Sequence, residues 1–238
     1  METIKDKKIL VVGATGDIGT ATVKMLASTG AKLFITSTDA IKLRTLADRF
    51  NIPSEQTFVL DYKDSSTIFQ TANKILDAVS SIDIIINAAG IGIIKPFEQI
   101  SQSEFEHSLT INLTGPFLLF QAFLPSMKEQ KKGLIINIPG VLGKSPMAGA
   151  AAYAASKYGL NGMMKSLREE VKRTDIRITQ LFLGGVDSSF WNTIDLRVQR
   201  DKMIMAEEVG KAIWFLCQQP SSGVVSEMVL QPFNHQAI

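Results

Sequence analysis

Short apolar runs rich in Ile, Val and Leu recur along this chain, at Ile9–Val12, Leu33–Ile35, Phe58–Leu60, Ile82–Ile86, Leu134–Ile138 and Ile176–Phe182. Each is too short for a helix and lacks strict apolar/polar alternation, which is how strands buried on both faces read. Between them lie stretches with helical spacing, at 17–29, 39–50, 64–80, 103–130, 151–173 and 206–218. Ser101-x-x-Glu104 forms a capping box for the fourth of these. Strand then helix, repeated, predicts an α/β fold: a doubly wound parallel sheet of about seven strands with helices on both faces, closed by a strand near Glu227–Gln231.

The chain has 238 residues, 45% of them apolar and 20% charged, which is ordinary for a folded globular protein. No repeat, low-complexity tract or long linker divides it, so residues 1–238 are expected to form one domain. Lys plus Arg total 25 and Asp plus Glu 23, for a net charge of +2, too little to hold nucleic acid through bulk charge. Cys217 is the only cysteine, which excludes an intramolecular disulfide and a Cys-rich zinc site and fits a reducing compartment. His107 and His235 are far apart, so no metal centre is expected. There is no run of 18 apolar residues, and the start, Met1-Glu-Thr-Ile-Lys-Asp-Lys-Lys8, leads into a strand rather than a secretory signal. The expectation is a cytoplasmic protein without a membrane partner.

Directly after the first strand comes Gly13-Ala14-Thr15-Gly16-Asp17-Ile18-Gly19, followed by a helix-forming run. Glycines let the backbone turn tightly and approach a diphosphate, while the free N–H groups at the helix start supply donors and the positive end of its dipole. Gly13, Thr15, Gly16, Asp17, Ile18 and Gly19 are therefore candidate cofactor-binding residues. A purely structural turn is the alternative. A carboxylate at Asp17 suits the dipole but would repel a phosphate, so its side chain is expected to point outward.

Tyr153-Ala-Ala-Ser-Lys157 opens a later helix, and the four-residue spacing places phenol and ammonium on one face. A nearby cation favours the phenolate and lowers the phenol toward a range where it exchanges a proton with an alcohol or carbonyl. Asn87-Ala88-Ala89-Gly90, at the end of the fourth strand, has the short polar residue and flexible glycine of a loop that closes on a ligand. Together with Asn112 in Ile-Asn-Leu-Thr-Gly, these motifs resemble, in order and spacing, the short-chain dehydrogenases/reductases, over almost the whole chain.

The resemblance implies a Rossmann-type fold and hydride transfer between a nicotinamide cofactor and a small carbonyl or alcohol substrate. It also implies roles: Tyr153 as acid/base, Lys157 holding the cofactor ribose and tuning Tyr153, and Asn112 supporting a proton-relay water. By the same resemblance Asp61 meets adenine, Asn87, Ala88 and Gly90 line the cofactor, and Gly184, Val186 and Ser188 lie beside the nicotinamide. Dimers or tetramers built on the helices at 103–130 and 151–173 are implied as well.

The pattern fails in two places. Family members usually carry a serine thirteen residues before the tyrosine, and here that position is Gly140. Losing one donor to a developing oxyanion costs about 10²–10³ in rate. Ser145 is the nearest serine in the same loop. Three readings stay open: a working oxidoreductase; a cofactor-binding protein of little turnover, such as a sensor or partner subunit; and, with only scattered lysines to argue from, a nucleic-acid binder. A second departure is Leu183-Gly184-Gly185-Val186-Asp187-Ser188, where the family often has Pro-Gly and then a threonine. Cofactor choice turns on the end of the second strand, Ser37-Thr38-Asp39, where the selecting residue Ser37 is not acidic. Hydroxyls of Ser37 and Thr38 with Lys42 and Arg44 nearby favour NADP over NAD, and Asp39 pulls the other way. The irregular stretch 184–205, with Phe190, Trp191, Met203, Ile204 and Met205, is expected to be a substrate loop, its alternative being helix-packing or subunit contact.

Overall fold

The computed structural model describes residues 1–234, so His235 lies outside the described residues. Its main sheet contains β1 (Lys8–Val12), β2 (Lys32–Ser37), β3 (Thr57–Val59), β4 (Ile84–Asn87), β5 (Lys132–Asn137) and β6 (Asp175–Leu183). Two-residue strands β7 (Val186–Asp187) and β8 (Ile204–Met205) pair with each other outside it, and β9 (Glu227–Leu230) completes its edge. The strand order is β3-β2-β1-β4-β5-β6-β9, every pairing parallel. The expected strands are all present, with ends shifted by a residue or two, as hydrogen-bonded boundaries usually are.

Parallel strands need crossover helices, and these cover both faces. Helices α1 (Asp17–Ala27), α2 (Ala40–Phe50) and α7 (Ala206–Cys217) bury Val23, Leu26, Leu43, Leu46, Val209 and Ile213 against Ile9, Val11, Ile35 and Ile136. Opposite them, α3 (Ser65–Val79), α5 (Gly115–Glu129) and α6 (Ala151–Val171) bury Ile68, Ile75, Leu119, Phe123, Leu160 and Met164 against Leu10, Phe34, Ile85 and Ile135. Each such side chain contributes roughly 1.5–3 kcal/mol by leaving water. Among the aromatic residues of α5, Phe120 and Phe123 are core, whereas Phe117 is exposed.

Several helix starts carry their own caps. Asp39 accepts from the N–H groups of Ile41 and Lys42, both at 3.0 Å, and Asp64 caps α3 through Ser66 N–H. The capping box opens α4 (Gln102–Leu109) with both of its bonds in place.

The continuous helix expected over 103–130 is not what forms. After α4 the backbone widens into a π-helical turn over Thr110–Thr114 before α5 begins. Pro116 supplies the reason: it has no N–H for the carbonyl four residues earlier, that of Asn112, so the regular ladder cannot run through this point. The bulge positions the Asn112 side chain. No helix of the described residues is long and apolar enough to cross a membrane.

Candidate active site

The sheet reverses its winding between β1 and β4, and a crevice opens there outside the carboxyl ends of the strands, where ligands of doubly wound sheets bind. The glycine loop forms one wall. Gly13 has φ +76°, and a Cβ on it would stand 2.8 Å from Ala89 N, so only glycine lets this loop lie against the Asn87–Gly90 loop. A Cβ on Gly19 would stand 2.1 Å from Gly13 O, which explains how α1 starts so close to β1. Gly16 is exposed, with its backbone next to the first N–H groups of α1. The loop is joined to β2 through hydroxyls, Thr15 Oγ1 lying 2.5 Å from Ser37 Oγ, which also accepts from Asp39 N–H at 3.2 Å.

The remaining polar groups near β2 divide into two kinds. Thr38, Lys42 and Arg44 are exposed. The carboxylate of Asp39 is turned onto the start of α2 as its cap and lies 3.8 Å from Lys42. Asp61 accepts from Lys63 N–H at 2.9 Å and its main chain bonds Thr67, so it shapes the turn into α3.

Beneath the crevice a polar ladder crosses the sheet. The buried Tyr62 hydroxyl donates to Asn87 Oδ1 at 2.9 Å, and Asn87 Nδ2 donates to Asn137 Oδ1 at 3.0 Å. Asn87 and Asn137 are register partners on β4 and β5. This bond keeps Asn87 engaged within the sheet, while Ala88 N–H bonds Val12 O at 3.0 Å.

Asn112 reaches from the π-turn to the loop beyond β4. Its Oδ1 accepts from Ile91 N–H at 3.0 Å, and its Nδ2 donates to Ile91 O at 2.9 Å and to Ser156 Oγ at 3.0 Å. Ser108 and Ser156 thus belong to the site, a point the sequence reading missed. The Ser108-x-x-x-Asn112 spacing, one helical turn, was the available signal.

Tyr153 and Lys157 share a face of α6, with Lys157 Nζ 5.5 Å from the centre of the Tyr153 ring and donating to Ile138 O at 3.2 Å. A Cβ on Gly90 would stand 3.1 Å from Asn112 Oδ1 and 3.2 Å from Lys157 Nζ, so these groups converge on one spot. Here the expectation of a phenol drawn down by the ammonium needs correction. Burial dominates: it holds Tyr153 above the ordinary phenol range and pushes Lys157 down to about 8. The phenol is therefore fully protonated at neutral pH, and a weaker acid than a free phenol.

Gly140, at the end of β5, has φ +70° and ψ 165°, a region open essentially to glycine alone. A Cβ there would meet only Leu183 O at 3.6 Å and Tyr153 Oη at 3.7 Å, ordinary contact distances. Space for a side chain exists beside the phenol, but the backbone is shaped against one. Ser145 bonds Val141 O through its N–H at 2.9 Å, closing the short turn beyond Gly140.

The segment after β6 folds over this end of the crevice. Gly184 N–H bonds Leu230 O at 2.8 Å, and a Cβ on Gly184 would stand 2.8 Å from Pro232 Cδ. Val186 O accepts from Trp191 Nε1 at 2.9 Å and from the buried Ser188 hydroxyl at 3.3 Å. Asp17 is exposed and points away from the glycine loop, as expected. Its carboxylate leaves the glycine loop and accepts from the N–H and hydroxyl of Ser189, at 2.7 and 2.6 Å. Arg200 donates to Asp187 at 2.5 Å and to Ser188 O at 3.0 Å. Phe190 lies 5.7 Å from Tyr153, ring centre to ring centre. Cys217 is buried, and burial raises its thiol above the ordinary range, so it takes no part in the chemistry.

A profile of the family described as short chain dehydrogenase matches residues 7–198. An uncharacterised oxidoreductase of Staphylococcus epidermidis is 28% identical over 232 residues, covering 98% of this chain and 100% of that one. The 3-oxoacyl-[acyl-carrier-protein] reductase FabG of Aquifex aeolicus is 28% identical, covering 95% and 96%. Among solved structures, a metagenomic short-chain oxidoreductase in complex with NADP superposes with a TM-score of 0.84 at 29% identity, covering 98% and 100%.

Proposed function

Since the chain belongs to the short-chain dehydrogenase family, we propose that it is an NADP-dependent oxidoreductase that interconverts a small carbonyl compound and its alcohol, with Tyr153 as the acid/base. One observation carries this reading: a phenol and a buried lysine share a helix face beside the Asn87–Gly90 loop, against which the glycine loop itself packs.

The residues fit a dinucleotide. Gly16 N–H is taken by Gly13 O, but α1 has no side-chain cap, so its first N–H groups are left for a diphosphate, and the Thr15–Ser37 hydroxyl pair would hold the adenosine ribose. Ser37 is not acidic, and Asp39 is held as a helix cap, so no carboxylate is aimed at a 2′-phosphate from β2, which supports NADP over NAD. The reduced nicotinamide supplies the hydride. Around it Tyr153 would give its proton to the carbonyl oxygen, Lys157 would bind the ribose hydroxyls, and Asn112 fixes the loop at Ile91 through both of its amide atoms. Asp61, Ala88, Gly90, Gly184, Val186 and Ser188 complete the cofactor's surroundings. A homodimer or homotetramer built on α5 and α6, which leave Phe117 and Tyr158 exposed, belongs to the same reading.

A second reading is favoured by Gly140, whose backbone is set against a side-chain donor: an NADP-binding protein of low turnover. NADPH titration together with carbonyl-reduction assays of wild type and Tyr153→Phe separates the two. The expected result is NADPH binding in both proteins and turnover only in wild type. Binding without turnover in either selects the second reading. Full rate in the variant, or no NADPH uptake at millimolar concentration, overturns the first.

A further inference from the structure

Phe190, in the segment after β6, packs against the phenol of Tyr153. Its ring is tilted 49° to Tyr153 and meets Trp191 edge-on at 5.2 Å. The loop beyond β4 is notched to receive it: a Cβ on Gly92 would stand 2.1 Å from Phe190 Cζ and 2.4 Å from Cε2. Both neighbours in sequence are tethered, Ser189 to Asp17 and Trp191 through its indole N–H to Val186 O. A ring clamped on both flanks and seated in a glycine notch is a fixed wall. Behind it lie Ile94, Ala150 and Ile194 with Leu142 and Trp191, all without charge. Gly140 also borders the phenol and carries no side chain; a Cβ there would fit in ordinary contact, 3.6 Å from Leu183 O and 3.7 Å from Tyr153 Oη.

We infer that Phe190, seated against Gly92, sets the size limit of the substrate: the site takes compact uncharged ketones or aldehydes, about one ring in extent, that fit between Phe190 and the Gly140 side. The inference rests on the carbonyl-reductase reading and adds the substrate class to it. Phe190 is a specificity residue and moves no proton.

The test compares kcat/KM for cyclohexanone and for the bicyclic 2-tetralone, with NADPH, in wild type, Phe190→Ala and Phe190→Leu. Wild type should favour cyclohexanone. Phe190→Ala should raise the tetralone-to-cyclohexanone ratio at least tenfold, and Phe190→Leu should fall between. The affinities of the corresponding alcohols, measured by calorimetry with and without NADP⁺, should move in the same ratio. An unchanged ratio in both variants, or a wild type that takes the two ketones equally well, overturns the inference. If no variant turns over either ketone but the binding ratio shifts as stated, the size limit stands and the reductase reading falls.

Discussion

Substituting Gly140 separates two effects that the structure places on one residue. At φ +70° and ψ 165°, any side chain incurs backbone strain on the order of 1–3 kcal/mol, although the Cβ itself meets only ordinary contacts. For a domain of this size each kcal/mol lowers the melting temperature by roughly 2–4 °C, so Gly140→Ala and Gly140→Ser should both melt about 2–12 °C below wild type. The hydroxyl acts separately. With a Cβ 3.7 Å from Tyr153 Oη, a serine Oγ extends toward the oxygen that receives the Tyr153 proton, and one such donor changes kcat by about 10²–10³. The informative quantity is therefore the ratio of Gly140→Ser to Gly140→Ala, in which the strain cancels. Steady-state reduction of a small ketone at saturating NADPH should give a ratio of at least about tenfold, the shortfall from the full factor reflecting a loop that has shifted to relieve strain. Equal kcat in the two variants would refute the idea that a missing donor limits turnover. Undiminished melting temperatures would refute the strain argument.

Three further outcomes are expected. Lys157, pushed by burial from 10.5 to about 8, binds fewer protons folded than unfolded between those values, so its burial penalty is full below pH 8 and fades as pH rises toward 10.5. In urea titrations wild type should therefore gain about 2 kcal/mol on Lys157→Met between pH 8 and pH 10, and a constant difference would contradict the burial. Asp17→Asn should change the NADPH dissociation constant less than about threefold, because the carboxylate is turned onto Ser189; a tenfold gain would mean that it faces the diphosphate. Ser37→Asp should weaken NADPH relative to NADH by about 10–100-fold through repulsion of the 2′-phosphate, and an unchanged preference would remove Ser37 from the selecting position.

Much of this architecture was legible because its signals are local. A strand buried on both faces needs an unbroken apolar run, so Ile9–Val12 and Leu134–Ile138 announce themselves, and Gly13 and Gly19 mark positions where a Cβ would collide with the backbone. The Ser101/Glu104 box needs only its three-residue spacing. The helix break at Thr110–Thr114 was legible in principle, since Pro116 removes one hydrogen bond, but apolar periodicity runs through the break and hides it. Contacts between distant segments leave no such trace. Nothing in the spacing of Asp17 and Ser189, or of Gly92 and Phe190, says that they meet, because each contact depends on how the segment after β6 folds back over the crevice.

The proton affinities at the site follow the same division. Four-residue spacing correctly places Lys157 beside Tyr153, and from charge alone one would lower the phenol. The sign depends instead on desolvation, which acts on both groups and disfavours the charged form of each. Enclosure by α6, the Ile138 carbonyl and the Phe190 wall therefore keeps Tyr153 protonated and makes Lys157 a cation held with difficulty. A phenol in that state is protonated at neutral pH yet a weaker acid than a free phenol, so acid/base work by Tyr153 requires its proton affinity to be lowered from this resting value. Oxidation of the alcohol requires the phenolate, which becomes accessible only as pH rises or as a bound cofactor alters the surroundings of Lys157.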